Sequence, residues 1–286
     1  MCTDARVHNI SDKELDGLIK FLHPYLRLNV HTITHALMHT ITGSRIHTFM
    51  HARVHNITTC RQPMKTISIV SQKGGAGKTT LAIHLAVAAS QAGMNTAIID
   101  LDPQASSAKW ADRRQAELPV VISAHASRLA QVLETARAEG GELMLIDTAP
   151  HSDNAALEAA RMADFVLIPC RPSILDLEAI ATSLDIAKLA HKPATVILNA
   201  VAPSGSEADE AEEAITQLGG EACPLRLVHR VAYARAIVYG QAAQEYEPHG
   251  KAAREIEALH KFMCAHLHIL TSSKKGKKNE QVRRRA

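Results

Sequence analysis

The chain has 286 residues, 46% hydrophobic but only 3% aromatic, with a formal net charge of +3 and five cysteines. That length suits one large α/β domain with extensions, and its core must be aliphatic. No apolar run reaches the roughly 18 residues of a membrane span. Cys2, Cys60, Cys170, Cys223 and Cys264 form no C-x-x-C pair, which argues against a disulfide frame or a cysteine-based metal site and for a reducing cytosol.

Residues 1–63 differ from the rest. They open on "MCTDARVHNISDKELD", charged where a secretory leader would be apolar, so no leader is expected. They hold 8 of the 17 histidines, and His31, His39, His47 and His55 recur every eight residues. A helical metal face does not follow, because each four-residue step drifts about 40° round a helix. Thr, Ile and Val disfavour helix as well. An eight-residue period is also a 24-nucleotide DNA period. The expectation is a disordered or mis-called extension, with the working domain at 64–270 beginning at Met64 and a basic, disordered tail at 271–286.

From Met64 short aliphatic runs alternate with helical stretches. Strands are expected at 66–71, 96–100, 119–123, 143–147, 165–169, 194–201 and 224–228. Helices are expected at 78–92, 104–117, 126–138, 153–162, 173–190 and 206–218, with a last one from about 250 to 270. The strands are apolar throughout, as befits strands covered on both faces. The expected fold is therefore α/β, a doubly wound, mostly parallel sheet flanked by helices.

The first strand runs into "SQKGGAGKTTLA" (71–82). Gly74, Gly75 and Gly77 let a loop turn its amides inward on phosphates, and the helix that follows points its N-terminus at the same anion. With Ala76 and Thr80 they form a nucleotide-binding loop. Within it Lys78 is placed to reach the β- and γ-phosphates and Thr79 to hold Mg²⁺. One feature is unusual: Gln72 stands where the first glycine of G-x-x-x-x-G-K-[ST] belongs, and a second lysine, Lys73, follows it. "AIIDLDPQ" ends the second strand with Asp100 and Asp102, and "LMLIDTAP" ends the fourth with Asp147. Parallel strands finish on one edge, so all three carboxylates can approach the loop. Asp100 and Asp147 are candidates for Mg²⁺ waters, and Asp102 for orienting or deprotonating the attacking water. The alternative for each is a strand-end carboxylate that caps the next helix.

At these residues the chain resembles the ParA/MinD superfamily, the deviant Walker A ATPases. "KGGAGKTT", "DLDPQ" and "LIDTAP" match its three motifs, and "HRVAYARAIVYGQAAQEYEPHGKAAREIEAL" (229–259) is similar to the C-terminal stretch of small ParA plasmid-partitioning proteins. The resemblance covers about 64–262. It implies an ATP- and Mg²⁺-dependent sandwich homodimer in which Lys73 crosses to the nucleotide of the other subunit; the alternative is a local pair with an acid of its own subunit. It also implies that Asn199 contacts adenine, the alternative being a strand-end asparagine, and that 150–153 and 172–176 form switch-like loops.

The resemblance implies an output on nonspecific DNA or on a membrane. The tail carries seven Lys/Arg against one Glu, a net +6, while 64–270 nets −6, so a polyanion partner fits. Candidate DNA contacts are Arg230, Arg235, Lys274, Lys275, Lys277 and Lys278, with Arg283, Arg284 and Arg285. The alternatives are an ordinary solvated helix face and a solubilising tail. Leu259, Phe262, Met263, Leu267 and Leu270 form an apolar stripe that suits either a membrane surface or the domain core. The likeness at 229–259 favours DNA, a cytoplasmic, nucleoid-associated protein, a centromere-binding ParB-like adaptor as partner, and no stable membrane association.

Overall fold

The structure, a computed structural model, describes residues 63–269. The octad repeats and the tail cations Lys274, Lys275, Lys277 and Lys278 lie outside the described residues. The elements run β1 (Lys65–Ile69), α1 (Lys78–Gln91), β2 (Thr96–Asp100), α2 (Ser106–Ala111), β3 (Val120–Ser123), α3 (Leu129–Ala138), β4 (Leu143–Asp147) and α4 (Asp153–Met162). They continue with β5 (Phe165–Cys170), α5 (Ile174–Leu189), β6 (Ala194–Val201), α6 (Glu207–Gln217), β7 (Ala222–Val228), α7 (Val231–Val238), α8 (Ala243–Tyr246) and α9 (Lys251–His266). The strands form one sheet in the order β3-β2-β4-β1-β5-β6-β7, and every neighbouring pair is parallel.

Side chains alternate across a strand, so a sheet covered on both faces needs apolar residues at every position. Ile67, Ile69, Leu143, Leu145, Phe165 and Leu167 join one layer with α1 and α9. Their sequence neighbours Val166 and Ile168 pack on α4, α5 and α6 in a second layer, and Met144 and Ile146 pack with α3 in a third cluster. The α1 helix is buried along almost its whole length, from Lys78 to Ala89. That explains its lack of a polar stripe. The phosphate loop therefore springs from a strand and a helix that both lie inside the core.

Three details depart from the sequence expectation. The helix expected over 104–117 covers only Ser106–Ala111. Beyond it the chain is polar, and Arg114 holds it as an irregular segment by donating to the carbonyls of Leu118 and Gly240 and to both carboxylate oxygens of Glu245. The short helices α7 and α8 were not expected; Gly240, with φ +67°, separates them, and the run between punctuating residues is too brief to show a period.

The C-terminal apolar stripe is the third. Leu259, Met263 and Leu267 are buried in the α1 layer, and Phe262 packs against it. Four of the five stripe residues are thus spent on the domain core, which overturns the membrane-surface alternative for them; Leu270 lies outside the described residues. Among the described residues, no helix is long and apolar enough to cross a membrane.

Candidate nucleotide site

Register brings the site together. In the β2–β4 ladder Asp100 stands opposite Asp147, and in the β1–β4 ladder Ile69 stands opposite the same Asp147. The loop that leaves β1 at Val70 therefore begins beside both carboxylates, at the carboxyl edge of the sheet, where open α/β folds bind ligands. Thr148 fastens this edge: its buried hydroxyl donates to the Ile69 carbonyl at 2.8 Å.

The loop has the backbone that a phosphate cradle needs. Gly75 has φ +76° and Gly77 φ +103°, left-handed values that L side chains rarely adopt. Gly77 is also the N-cap of α1. A Cβ there would lie 2.1 Å from the Asn199 amide nitrogen. That amide donates to the Ala76 carbonyl at 2.7 Å, while the Asn199 carbonyl oxygen accepts from the Ala200 N–H at 2.9 Å. Both ends of the Asn199 amide are thus engaged within the chain. The amide acts as a post that supports the loop, a role beside the adenine contact that the resemblance implies. Its distance from Ala76 in sequence is what hid it.

Lys78 is buried, and its ammonium donates to the carbonyls of Ser71 at 2.8 Å and Lys73 at 3.2 Å. Burial lowers its pKa from the usual lysine value, against the opposing pull of Asp147 and Asp102. The two lysines of the loop are not equivalent. Lys78 is folded into the loop from within, whereas the Lys73 side chain is half-buried and has no hydrogen-bond or ion-pair partner among the described residues. Among the described residues, the local pair with an acid of its own subunit is not formed.

The three carboxylates also separate. Asp100 is buried; its Oδ1 accepts from the Asp102 N–H at 3.1 Å, and its Oδ2 from the N–H groups of Ser107 at 3.0 Å and Ala108 at 3.2 Å. It caps the start of α2, the alternative role weighed for a strand-end carboxylate. Burial raises its pKa, and these hydrogen bonds pull it back down. Asp102 is half-exposed and folds its Oδ1 onto the Gln104 N–H at 2.9 Å.

Asp147 is fully buried. Its Oδ2 accepts from the Ser107 hydroxyl at 3.0 Å, and its Oδ1 has no hydrogen-bond partner among the described residues. Burial pushes its carboxyl up to about 7; the Thr79 hydroxyl beside it favours the charged form, and Asp100 disfavours it. An orphaned carboxylate oxygen costs free energy unless something binds it. An Mg²⁺ ion in a phosphate site needs only one or two protein oxygens. Thr79 and the bare Oδ1 of Asp147 fit that requirement. Ser107 and Thr148 were missed in the sequence, where "ASSAKW" and "IDT" give no hint of partners 40 and 79 residues away.

The candidate DNA contacts fare differently. Arg230 is spent on Glu255, with Nε at 2.8 Å and Nη2 at 2.5 Å from the same carboxylate oxygen. Tyr233 donates to the other oxygen at 2.9 Å. Arg235 is exposed on α7, but the apolar Val231, Val238 and Tyr239 are exposed beside it, each more than half accessible. Arg235 therefore stands among exposed apolar side chains, with Arg113 reaching the Ile237 carbonyl of the same helix.

Comparison with known proteins agrees with the geometry. The protein is 33% identical over 210 residues to the maintenance of carboxysome distribution protein A of Gloeobacter kilaueensis, covering 71% of this chain and 94% of that one. It is 28% identical to Protein ParA of Rhizobium radiobacter, covering 73% of this chain and 99% of that one. Among solved structures, MinD of Aquifex aeolicus in complex with MinC superposes with a TM-score of 0.60 at 16% identity, covering 70% of this chain and 96% of that one. MinD of Pyrococcus horikoshii with Mg-ADP does so at 0.56 and 20% identity, covering 70% and 96%. A family profile, the CobQ/CobB/MinD/ParA nucleotide binding domain, matches residues 67–242. With the phosphate loop, its two lysines and the orphaned Asp147 in one crevice, the chain belongs to the CobQ/CobB/MinD/ParA nucleotide-binding family.

Proposed function

We propose that this protein is a weak ATPase in which Mg²⁺–ATP joins two copies into a dimer, and that the dimer binds DNA without reading its sequence. A partner protein of ParB-like type stimulates hydrolysis and releases the dimer. Repeated cycles position a cargo over the nucleoid in the cytoplasm. The observation that carries this reading is the unpartnered Lys73 side chain beside a Lys78 already committed to its own loop. A cation left over at a triphosphate site is suited to a second nucleotide brought by a second subunit. Two facing triphosphates repel, and one lysine reaching across in each direction turns that repulsion into attraction. The same charge stabilises the γ-phosphoryl as it leaves, as an arginine finger does.

The remaining roles follow from position. The N–H groups of Gly74, Gly75, Ala76 and Gly77 cradle the phosphates, and Lys78 and Thr80 complete the cradle. Thr79 and Asp147 hold Mg²⁺, which supplies charge neutralisation across the phosphates when bound. Asp100 serves that pair by capping α2 and so placing Ser107 against Asp147. Asp102, with one carboxylate oxygen beyond its own turn, orients or deprotonates the attacking water. DNA contact falls to Arg235 and the tail, because Arg230 is already neutralised by Glu255. The cargo is either a plasmid, as the ParA relative suggests, or a large protein assembly, as the relative named for carboxysome distribution suggests.

Sedimentation and DNA retention with ATP, ADP or no nucleotide, run across a salt series, test the reading. Mg²⁺–ATP should give a dimer that retains nonspecific DNA at low salt. Lys78→Ala should lose nucleotide, Lys73→Ala should bind ATP and stay single, and Asp102→Ala should pair without turnover. Single subunits whatever nucleotide is supplied, or normal pairing by Lys73→Ala, would refute it.

A further inference from the structure

A third cation stands over the phosphate loop. Arg171 follows the last residue of β5, the strand hydrogen-bonded to β1 on the side away from β4. Its backbone is held: its carbonyl accepts from the Ser173 N–H at 2.8 Å and from the Cys170 thiol at 3.0 Å. Its side chain is exposed and lies across the loop. Guanidinium Nη2 is 3.6 Å from the point where a Cβ on Gly75 would sit. Among the described residues, that guanidinium has no hydrogen-bond or ion-pair partner. The two acids of the crevice with buried carboxylates, Asp100 and Asp147, stand on β2 and β4, on the other side of β1. An arginine that no acid among the described residues claims, and that lies beside a glycine whose φ already requires glycine, is poised for an anion seated in that loop.

We propose that Arg171 is a phosphate-contacting residue of the nucleotide site, its guanidinium bonding oxygens of the terminal phosphate of the nucleotide held by its own subunit. This rests on the reading that the loop binds ATP. The choice of phosphate follows from the loop. Lys78, which reaches the β- and γ-phosphates in such sites, is bonded to the Lys73 carbonyl, so the stretch from Lys73 to Gly75 borders the terminal end of the triphosphate. The Arg171 guanidinium stands at the Gly75 end of that stretch. The choice of residue type follows from its chemistry. A planar, permanently charged fork can take two phosphate oxygens at once, which an ammonium cannot. A Cβ on Gly75 would only touch the fork at ordinary contact distance; what requires glycine there is its φ of +76°. Lys73 is then left for the partner subunit while Arg171 serves its own.

The test is equilibrium binding of ATPγS and of ADP, each with Mg²⁺, to the full chain and to Arg171→Gln and Arg171→Lys. Both variants are also placed in a Lys73→Ala background, where pairing is removed. Arg171→Gln should weaken ATPγS about tenfold or more and ADP less than twofold, in both backgrounds. Arg171→Lys should recover only part of the loss. Melting without nucleotide should not change, because the side chain makes no contact that the fold uses. Equal losses for ATPγS and ADP, no loss of either, or a loss seen only where the protein dimerises would each overturn the assignment. If the unsubstituted protein binds neither nucleotide, it is the ATP reading itself that fails.

Discussion

The Ser107 hydroxyl donates to one oxygen of Asp147 across 3.0 Å and leaves the other oxygen bare. This fixes which way the carboxylate faces. The serine is held there because Asp100 accepts the Ser107 and Ala108 amides, so the capped start of α2 delivers a hydroxyl to the neighbouring strand. Three residues from two strands and a helix act as one clamp that leaves a single oxygen, the Oδ1 proposed for Mg²⁺, bare.

Ser107→Ala should therefore act on magnesium before it acts on ATP. With Oδ2 unpaired inside the core, the carboxylate loses a hydrogen bond worth about 1–2 kcal/mol and can rotate. The Mg²⁺ concentration for half-maximal ATPase should rise several-fold, while nucleotide affinity in EDTA stays level. Magnesium titrations of wild type and variant check this. An unchanged magnesium requirement would show that Asp147 does not depend on the serine.

Gly77→Ala meets two obstacles that can be told apart. The φ of +103° costs a residue with a Cβ on the order of 1–2 kcal/mol. The added carbon would also stand 2.1 Å from the Asn199 amide. Asn199→Ala removes the second obstacle and leaves the first, though it also gives up the hydrogen bond to Ala76. The double variant should be more stable than the sum of the single losses predicts, because the two side chains clash only when both are present. Urea melts of the four proteins measure the coupling, and strict additivity would place Asn199 away from the loop.

These two cases show what sequence could and could not reveal. The seven strands fall within about two residues of their expected bounds, because an apolar run covered on both faces is a local signal. The phosphate loop was legible for the same reason: its glycines, lysines and threonine are contiguous. Asp147 read as a strand-end acid, yet nothing near it in sequence distinguishes it from Asp100, and only the fold makes one a cap and the other an orphan. Asn199 under Ala76 and Ser107 against Asp147 are contacts over 123 and 40 residues. Arg230 read as a surface cation because its partner Glu255 stands 25 residues further on.

His84 gives the fold a definite acid dependence. It lies on α1, four residues past Thr80, whose carbonyl accepts its Nδ1–H at 2.7 Å, and its Nε2 is buried with no partner. Tyr233 meets the ring edge-on, Gln244 donates to the His84 carbonyl, and Glu245 is the nearby acid that favours the charged form. Burial outweighs that acid and lowers the imidazole pKa to about 4. Between that value and the unfolded value near 6.5 the unfolded chain binds the extra proton and the folded one does not. Stability contributed by this group is whole above about pH 6.5 and declines as the pH falls towards 4, by about 3 kcal/mol at the limit. His84→Phe should be flatter over that interval in melts run at successive pH values. An equal slope in both proteins would mean that His84 is charged in the fold.

Arg230 and the basic tail should separate stability from DNA binding. Arg230→Gln removes a charge that Glu255 already neutralises, and strands Glu255 with only Tyr233 and the Val228 N–H. It should lower Tm by a few degrees and leave the salt slope of DNA retention unchanged. Removing residues 271–286 withdraws seven Lys/Arg per subunit. Each phosphate contact contributes about −0.9 to the slope of log K against log salt. If a substantial share of those cations touch phosphates, the truncated dimer should show a slope shallower by several units, with nucleotide-driven pairing intact. Retention measured at stepwise salt concentrations decides it. An unchanged slope on truncation, together with a shallower one in Arg230→Gln, would move the DNA surface from the tail to α7 and require the Glu255 pair to open when DNA binds.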